Sequence, residues 1–141
     1  MIVLICLVLF ILYSLCEGIR EAFYFHYKME TTTSVNIMDE HGLFAVQRGI
    51  MLVALSIISI LYVDDYKFLY GIGTFLTCSL AFSFFHNGIY YTVRNNLNEN
   101  LYEDKWLDQS YTTTAKFSFN FTVRIIMFIC SLIITSLFIF L

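Results

Sequence analysis

The chain reads as an all-α polytopic membrane protein, a four-transmembrane-helix bundle with short loops, and three observations predict it. Of 141 residues, 59% are hydrophobic and only 13% are charged, where soluble domains carry about a quarter charged. Proline is absent and aromatics reach 18%. The apolar residues fall into four runs, each near the roughly 20 residues that a helix needs to cross roughly 30 Å of hydrocarbon. One transmembrane domain over 1–141 follows, with helices near 2–27, 41–63, 66–95 and 113–141.

The first run, Ile2 to Cys16, is weighed against a cleaved signal peptide. Met1 is followed directly by apolar residues with no basic region, no small-x-small cleavage site appears, and Cys16 follows Leu15 rather than a small residue, so a retained helix continuing through Glu17, Gly18, Ile19, Arg20 and Glu21 is expected. The second run, Leu43 to Val63, has the length of a span. The third, Phe68 to Phe85, contains Gly71 and Gly73 but is too long and unbroken for a strand, and membrane strands would alternate every second residue. The fourth runs from Phe117 to Leu141.

Basic residues orient the bundle. Arg20, Lys28, Arg48, Arg94, Lys105, Lys116 and Arg124 lie on or near the side of the two longer connections, whereas the tight turn at Asp64, Asp65 and Lys67 carries one cation. The positive-inside rule therefore expects both longer loops in the cytoplasm and both termini outside. Tyr62, Tyr66 and Tyr70 at the outer turn, with Tyr24, Tyr27, Tyr90 and Tyr91 at the inner boundary, fit the aromatic belts of such a protein.

Neither cytoplasmic loop, about Lys28 to Glu40 and Asn95 to Tyr111, approaches the roughly 50 residues of a small independent domain. Any site must be built by the bundle. In the second loop Leu97, Leu101, Tyr102, Trp106 and Leu107 suit either a short helix on the headgroups or a plain polar connector. Cys6, Cys16, Cys78 and Cys130 show no CxxC spacing and read as small packing residues. The sequon Asn120, Phe121, Thr122 lies where glycosylation would not reach it.

The informative feature is the placement of ionisable residues. Tyr13, Glu17, Glu21 and Tyr24 fall on one stripe of helix 1, and Lys116, Asn120 and Arg124, continued by Ser131 and Thr135, on one stripe of helix 4. Fifteen residues separate Arg48 from Asp64, about 24 Å of helix, which puts Arg48 at or just inside the hydrocarbon edge. His86, Asn87 and Arg94 close helix 3 beside Tyr90 and Tyr91. Charge in the bilayer costs about 2.5–3.5 kcal/mol per residue at its centre, so such groups face inward and pair. The expectation is that Glu17 and Glu21 meet Arg48 and Arg124 with His86 nearby, either as ion pairs that fix the packing or as a polar pocket or ion path open to the cytoplasm.

Gly73, Thr77, Ala81 and Gly88 form a small-residue stripe on helix 3, and Ala45 and Gly49 a shorter one on helix 2; both let helices approach closely. Glu17, Glu21, His26, Asp39, His41 and His86 include metal-ligating types, but neither Glu-x-x-His on two helices nor His-Glu-x-x-His occurs, so no metal or other cofactor is expected. Phosphate loops, nucleophile elbows and a basic nucleic-acid patch are missing as well.

The run Phe84, Phe85, His86, Asn87, Gly88, Ile89, Tyr90, Tyr91 and the later Trp106, Leu107, Asp108 resemble segments of small, uncharacterised multi-pass membrane proteins of flavobacteria-like bacteria and their phages. The resemblance covers two short stretches and implies a bacterial or phage inner-membrane protein, without an activity.

Three classes of function remain open at this point. The first is a non-enzymatic interaction or assembly component, a homo-oligomer or a small subunit of a larger membrane complex, with the lipid bilayer as its other partner. The second is a small channel or ion-coupled carrier, a holin-like pore included. The third is a membrane enzyme, or a metal- or lipid-binding protein, with His86 or a carboxylate as acid or base.

Overall fold

Each apolar run becomes one helix because the bilayer leaves backbone amides no partner but their own chain. In the computed structural model, which describes residues 1–31, 40–98, 106–107 and 119–141, α1 spans Ile2–Thr31, α2 Glu40–Tyr62, α3 Lys67–Leu97 and α4 Phe121–Phe140. All four are long and apolar enough to cross a membrane. The second loop's proposed surface helix falls largely outside the described residues, as do Asp39 and Lys116 and the side chains of Lys28 and His41.

The 63–66 turn is tight because Tyr66 takes a left-handed conformation, φ 52° and ψ 29°, as it caps α3. That turn marks one end of the bundle, the turn end, shared by Ile2 and Phe140. The longer connections lie at the opposite, loop end. At the loop end α4 begins one residue after Asn120, whose side-chain oxygen accepts the Val123 N–H at 2.9 Å. This is an ordinary N-cap, and it places Asn120 before the helix.

α3 is the central element. It packs against all three other helices, most extensively against α1, while α2 and α4 do not touch among the described residues. Connectivity alternates direction, so α1 and α3 run parallel. Their register is visible in the Phe10 and Phe82 rings, 6.1 Å apart near the middle, and in Gly18, where a Cβ would stand 2.7 Å from the His86 carbonyl oxygen. Only a glycine lets the two backbones come so close. The apolar core of Ile2, Val3, Cys6, Phe10, Leu55, Cys78 and Phe138 fills the turn half.

The small stripe on α3 is used twice against bulky groups. Gly73 receives the Phe138 ring of α4, and Gly88 receives the indole of Trp106. Between them Ala81 is fully buried, and the Thr77 carbonyl accepts a 2.9 Å bond from Ser131 Oγ of α4. The outer surface is apolar on every helix, for example Leu12, Ile50, Ile72 and Ile133, as contact with hydrocarbon requires.

Candidate functional site

Buried positions on α1 recur at spacings of three and four: Val3, Cys6, Phe10, Ser14, Glu17 and Glu21, with Leu7 and Ala22 beside them. The last turns of this inward face carry carboxylates where the first carry hydrocarbon, which places both acids between helices instead of at the lipid. Their side chains are 1% and 6% exposed. Gly18, between them, draws this stretch of α1 onto α3 at His86.

Arg48 of α2 reaches both. Its Nε donates to Glu17 Oε1 at 3.0 Å and its Nη2 donates to Glu21 Oε1. One guanidinium therefore bridges two carboxylates a helical turn apart, using the fork geometry that lysine lacks. The same guanidinium lies 4.6 Å over the Phe82 ring, a cation–π contact that is stronger away from water.

α3 supplies the remaining members. His86 Nε2 lies 3.3 Å from Glu21 Oε2, and the imidazole is stacked on Phe82, with centroids 4.6 Å apart, and faces Tyr90 in parallel at 6.3 Å. Its Nδ1 is 3.1 Å from Asn87 Oδ1, and Asn87 Nδ2 donates to Ser83 Oγ at 3.4 Å. At the rim Arg20 donates to Gln47 Oε1 at 3.1 Å, lies 4.8 Å over Phe44 and comes within 3.9 Å of Glu17. Within this cluster, the buried Glu17 Oε2, His86 Nε2 and Tyr13 hydroxyl make no hydrogen bond among the described residues.

The arrangement thus gathers Glu17, Glu21, Arg48, His86 and Asn87 from three helices. Arg124 and Asn120 are elsewhere. Arg124 is buried in the seam of α3 and α4, donates to the Trp106 carbonyl oxygen at 3.1 Å and lies 5.7 Å from Tyr91 and 5.9 Å from Phe121 by ring centroid. Among the described residues it forms no ion pair with Glu17 or Glu21, so of the two arginines expected to meet the carboxylates, Arg48 does and Arg124 does not. The physical reason is the packing order. α4 docks on α3 and barely on α1, which leaves α3 between Arg124 and the carboxylates.

Sequence reasoning missed Gly18 and Phe82. A glycine flanked by two buried acids at one-residue and three-residue spacing was a legible sign of close helix approach; Phe82 was one of fifteen phenylalanines and carried no such sign. Among the described residues no three His, Cys, Asp or Glu side chains gather to hold a metal ion, and His26 stacks edge-on against Tyr27 at the end of α1, away from the cluster.

Chemically, the cluster can hold charge, share a proton and fasten three helices at one level. Compared with models of known protein families, with curated proteins and with solved structures, the chain matches none.

Proposed function

We propose that this small integral membrane protein is a non-enzymatic assembly component of a bacterial inner membrane, with both termini outside the cytoplasm, which associates through the outward face of α2 with a second copy of the chain. The observation that carries the reading is Gly49. A Cβ built there meets nothing within 4 Å and Ala45 is exposed, so among the described residues Gly49 serves no close contact inside the chain. A glycine inside a helix costs about 1 kcal/mol relative to alanine, and against fluid lipid it returns nothing.

Beside it Leu43, Val46, Ile50, Val53 and Ile57 are exposed at alternating spacings of three and four. This is the heptad rhythm that lets two helices interlock. Being the same on each copy, the strip is self-complementary about a two-fold axis. α2 is also the least buried of the four helices, and the ion cluster fixes its rotation by holding Arg48 inward, which turns this strip outward. Seven of the eight Lys and Arg residues lie on the loop side, which supports the orientation.

Native mass spectrometry of the protein released from mild detergent tests the reading. The expected result is a discrete homo-oligomer that Gly49→Leu converts largely to monomer while helix content is unchanged. A parent protein that flies only as monomer, or an oligomer indifferent to Gly49→Leu, overturns it.

A further inference from the structure

The buried cluster is unbalanced in a way that assigns it a ligand. Glu17 and Glu21 bring two carboxylates, and among the described residues Arg48 is the one guanidinium hydrogen-bonded to them. Arg20, 47% exposed, contributes from the watery rim at 3.9 Å while committed to Gln47. A surplus of negative charge in a low-dielectric interior is expensive unless a cation or a proton joins it.

The hydrogen-bond pattern indicates where. Asn87 points its amide nitrogen at Ser83 Oγ, so its carbonyl oxygen faces His86 Nδ1 at 3.1 Å. A carbonyl oxygen only accepts, so this contact is satisfied by the tautomer that carries the ring's hydrogen on Nδ1. A neutral imidazole of that tautomer presents a bare lone pair at Nε2, and what it faces at 3.3 Å is Glu21 Oε2, another acceptor. Two acceptors in contact, both buried, with Nε2 making no hydrogen bond, are reconciled by one hydrogen between them.

We propose that Glu21 and His86 form a proton-binding site, in which a single exchangeable proton, taken from water, is held between Glu21 Oε2 and His86 Nε2. The site is independent of whether α2 meets a second copy. Every element packed around it supplies a named neighbour: Tyr13, Glu17 and Arg20 on α1, Arg48 on α2, and Tyr90 with Asn87 on α3, while α4 turns its Arg124 to Tyr91 and Phe121 on the far side of α3. Tyr90 also gives the site a connection toward the loop end, since its hydroxyl accepts from Arg94 Nη1 at 3.1 Å. When the proton arrives, the pair gains one positive charge and Arg48 is needed less by Glu21, so the proton also weakens the tie that holds α2 to α1.

The test is nitrogen NMR of the three ¹⁵N-labelled histidines in phosphatidylethanolamine–phosphatidylglycerol vesicles, across pH from about 5 to about 9. The expected result is that His86 carries its hydrogen on Nδ1 at high pH and gains a second on Nε2 on acidification. Glu21→Gln should change the uptake of that second hydrogen by His86, whereas the signals of His26 and His41 should be the same in parent and variant. An Nε2–H tautomer at all pH, or an uptake by His86 indifferent to Glu21→Gln, overturns the proposal. If Glu21→Gln does not fold, proton uptake after a pH jump is compared between the parent and His86→Gln. Loss of one bound proton per chain supports the site, and equal uptake overturns it.

Discussion

Arg48 concentrates the energetics of single residues in this molecule. Removing a partner from a buried ion pair costs about 3–5 kcal/mol because the remaining charge has no solvent to turn to. Arg48→Met leaves two carboxylates in that position and is expected to lower the unfolding midpoint in a detergent titration steeply, whereas Glu17→Gln with Glu21→Gln and Arg48→Met together should recover most of the loss. A triple variant as unstable as the single one would mean that Arg48 acts through its contact with Phe82 instead. Gly18 makes a second residue-scale case. Its built Cβ stands 2.7 Å from the backbone oxygen of His86, which cannot rotate away, so Gly18→Ala is expected to cost about 1–3 kcal/mol as an overpacking change. Gly49→Ala, with open space around it, should be neutral or slightly stabilising in the monomer, and the pair of melts separates the two kinds of glycine.

At the scale of elements, α2 and α4 are attached to the α1–α3 pair by different means. α4 is held by shape, through Phe138 on Gly73 and stacked Phe84 and Phe128 rings 5.1 Å apart, together with a cross-helix bond from Ser131 Oγ to the Thr77 carbonyl. Interhelical bonds of this kind average about 0.6 kcal/mol in membranes, so Ser131→Ala should shift the melt only slightly. α2 meets α3 near the turn through Ile60 against Gly71, but at its other end its described polar ties are Arg48 to the two glutamates and Gln47 to Arg20. Hydrogen exchange in vesicles is therefore expected to show the loop half of α2 opening first, and earlier still in Glu17→Gln; uniform exchange along α2 would contradict this. Most of the helical content was legible in the sequence, because hydrophobic run length and the placement of Glu17, Glu21, Arg48 and His86 are read directly from residue order. The neighbour relations were not. Which side of α3 receives α4, and hence that Arg124 lies beyond reach of the carboxylates, depends on Gly73 and Gly88 accepting Phe138 and Trp106, a matching of shapes across distant positions that no periodicity encodes. The start of α4 was obscured for a related reason: Asn120 keeps the helical spacing with Arg124 although its side chain caps the helix.

For the whole molecule, charge is sorted by depth: paired acids and an arginine in the loop half, hydrocarbon in the turn half, and apolar residues facing outward throughout. A protease site inserted between Lys28 and Glu40 should be cut only from the cytoplasmic side of inverted vesicles, and one beside Lys67 only from the other; the reverse pattern would invert the topology without touching the fold. The parallel contact of α1 with α3 bears on how the protein is made. An antiparallel partner follows within one turn of the chain, but a parallel one must wait for a whole intervening crossing. From Thr31 at the end of α1 to Leu97 at the end of α3 is 97 − 31 = 66 residues, roughly 3–13 s of synthesis at roughly 5–20 residues per second. Throughout that interval the newborn first segment holds Glu17 and Glu21 without the surface that will bury them, so its early residence depends on whatever attends the insertion channel.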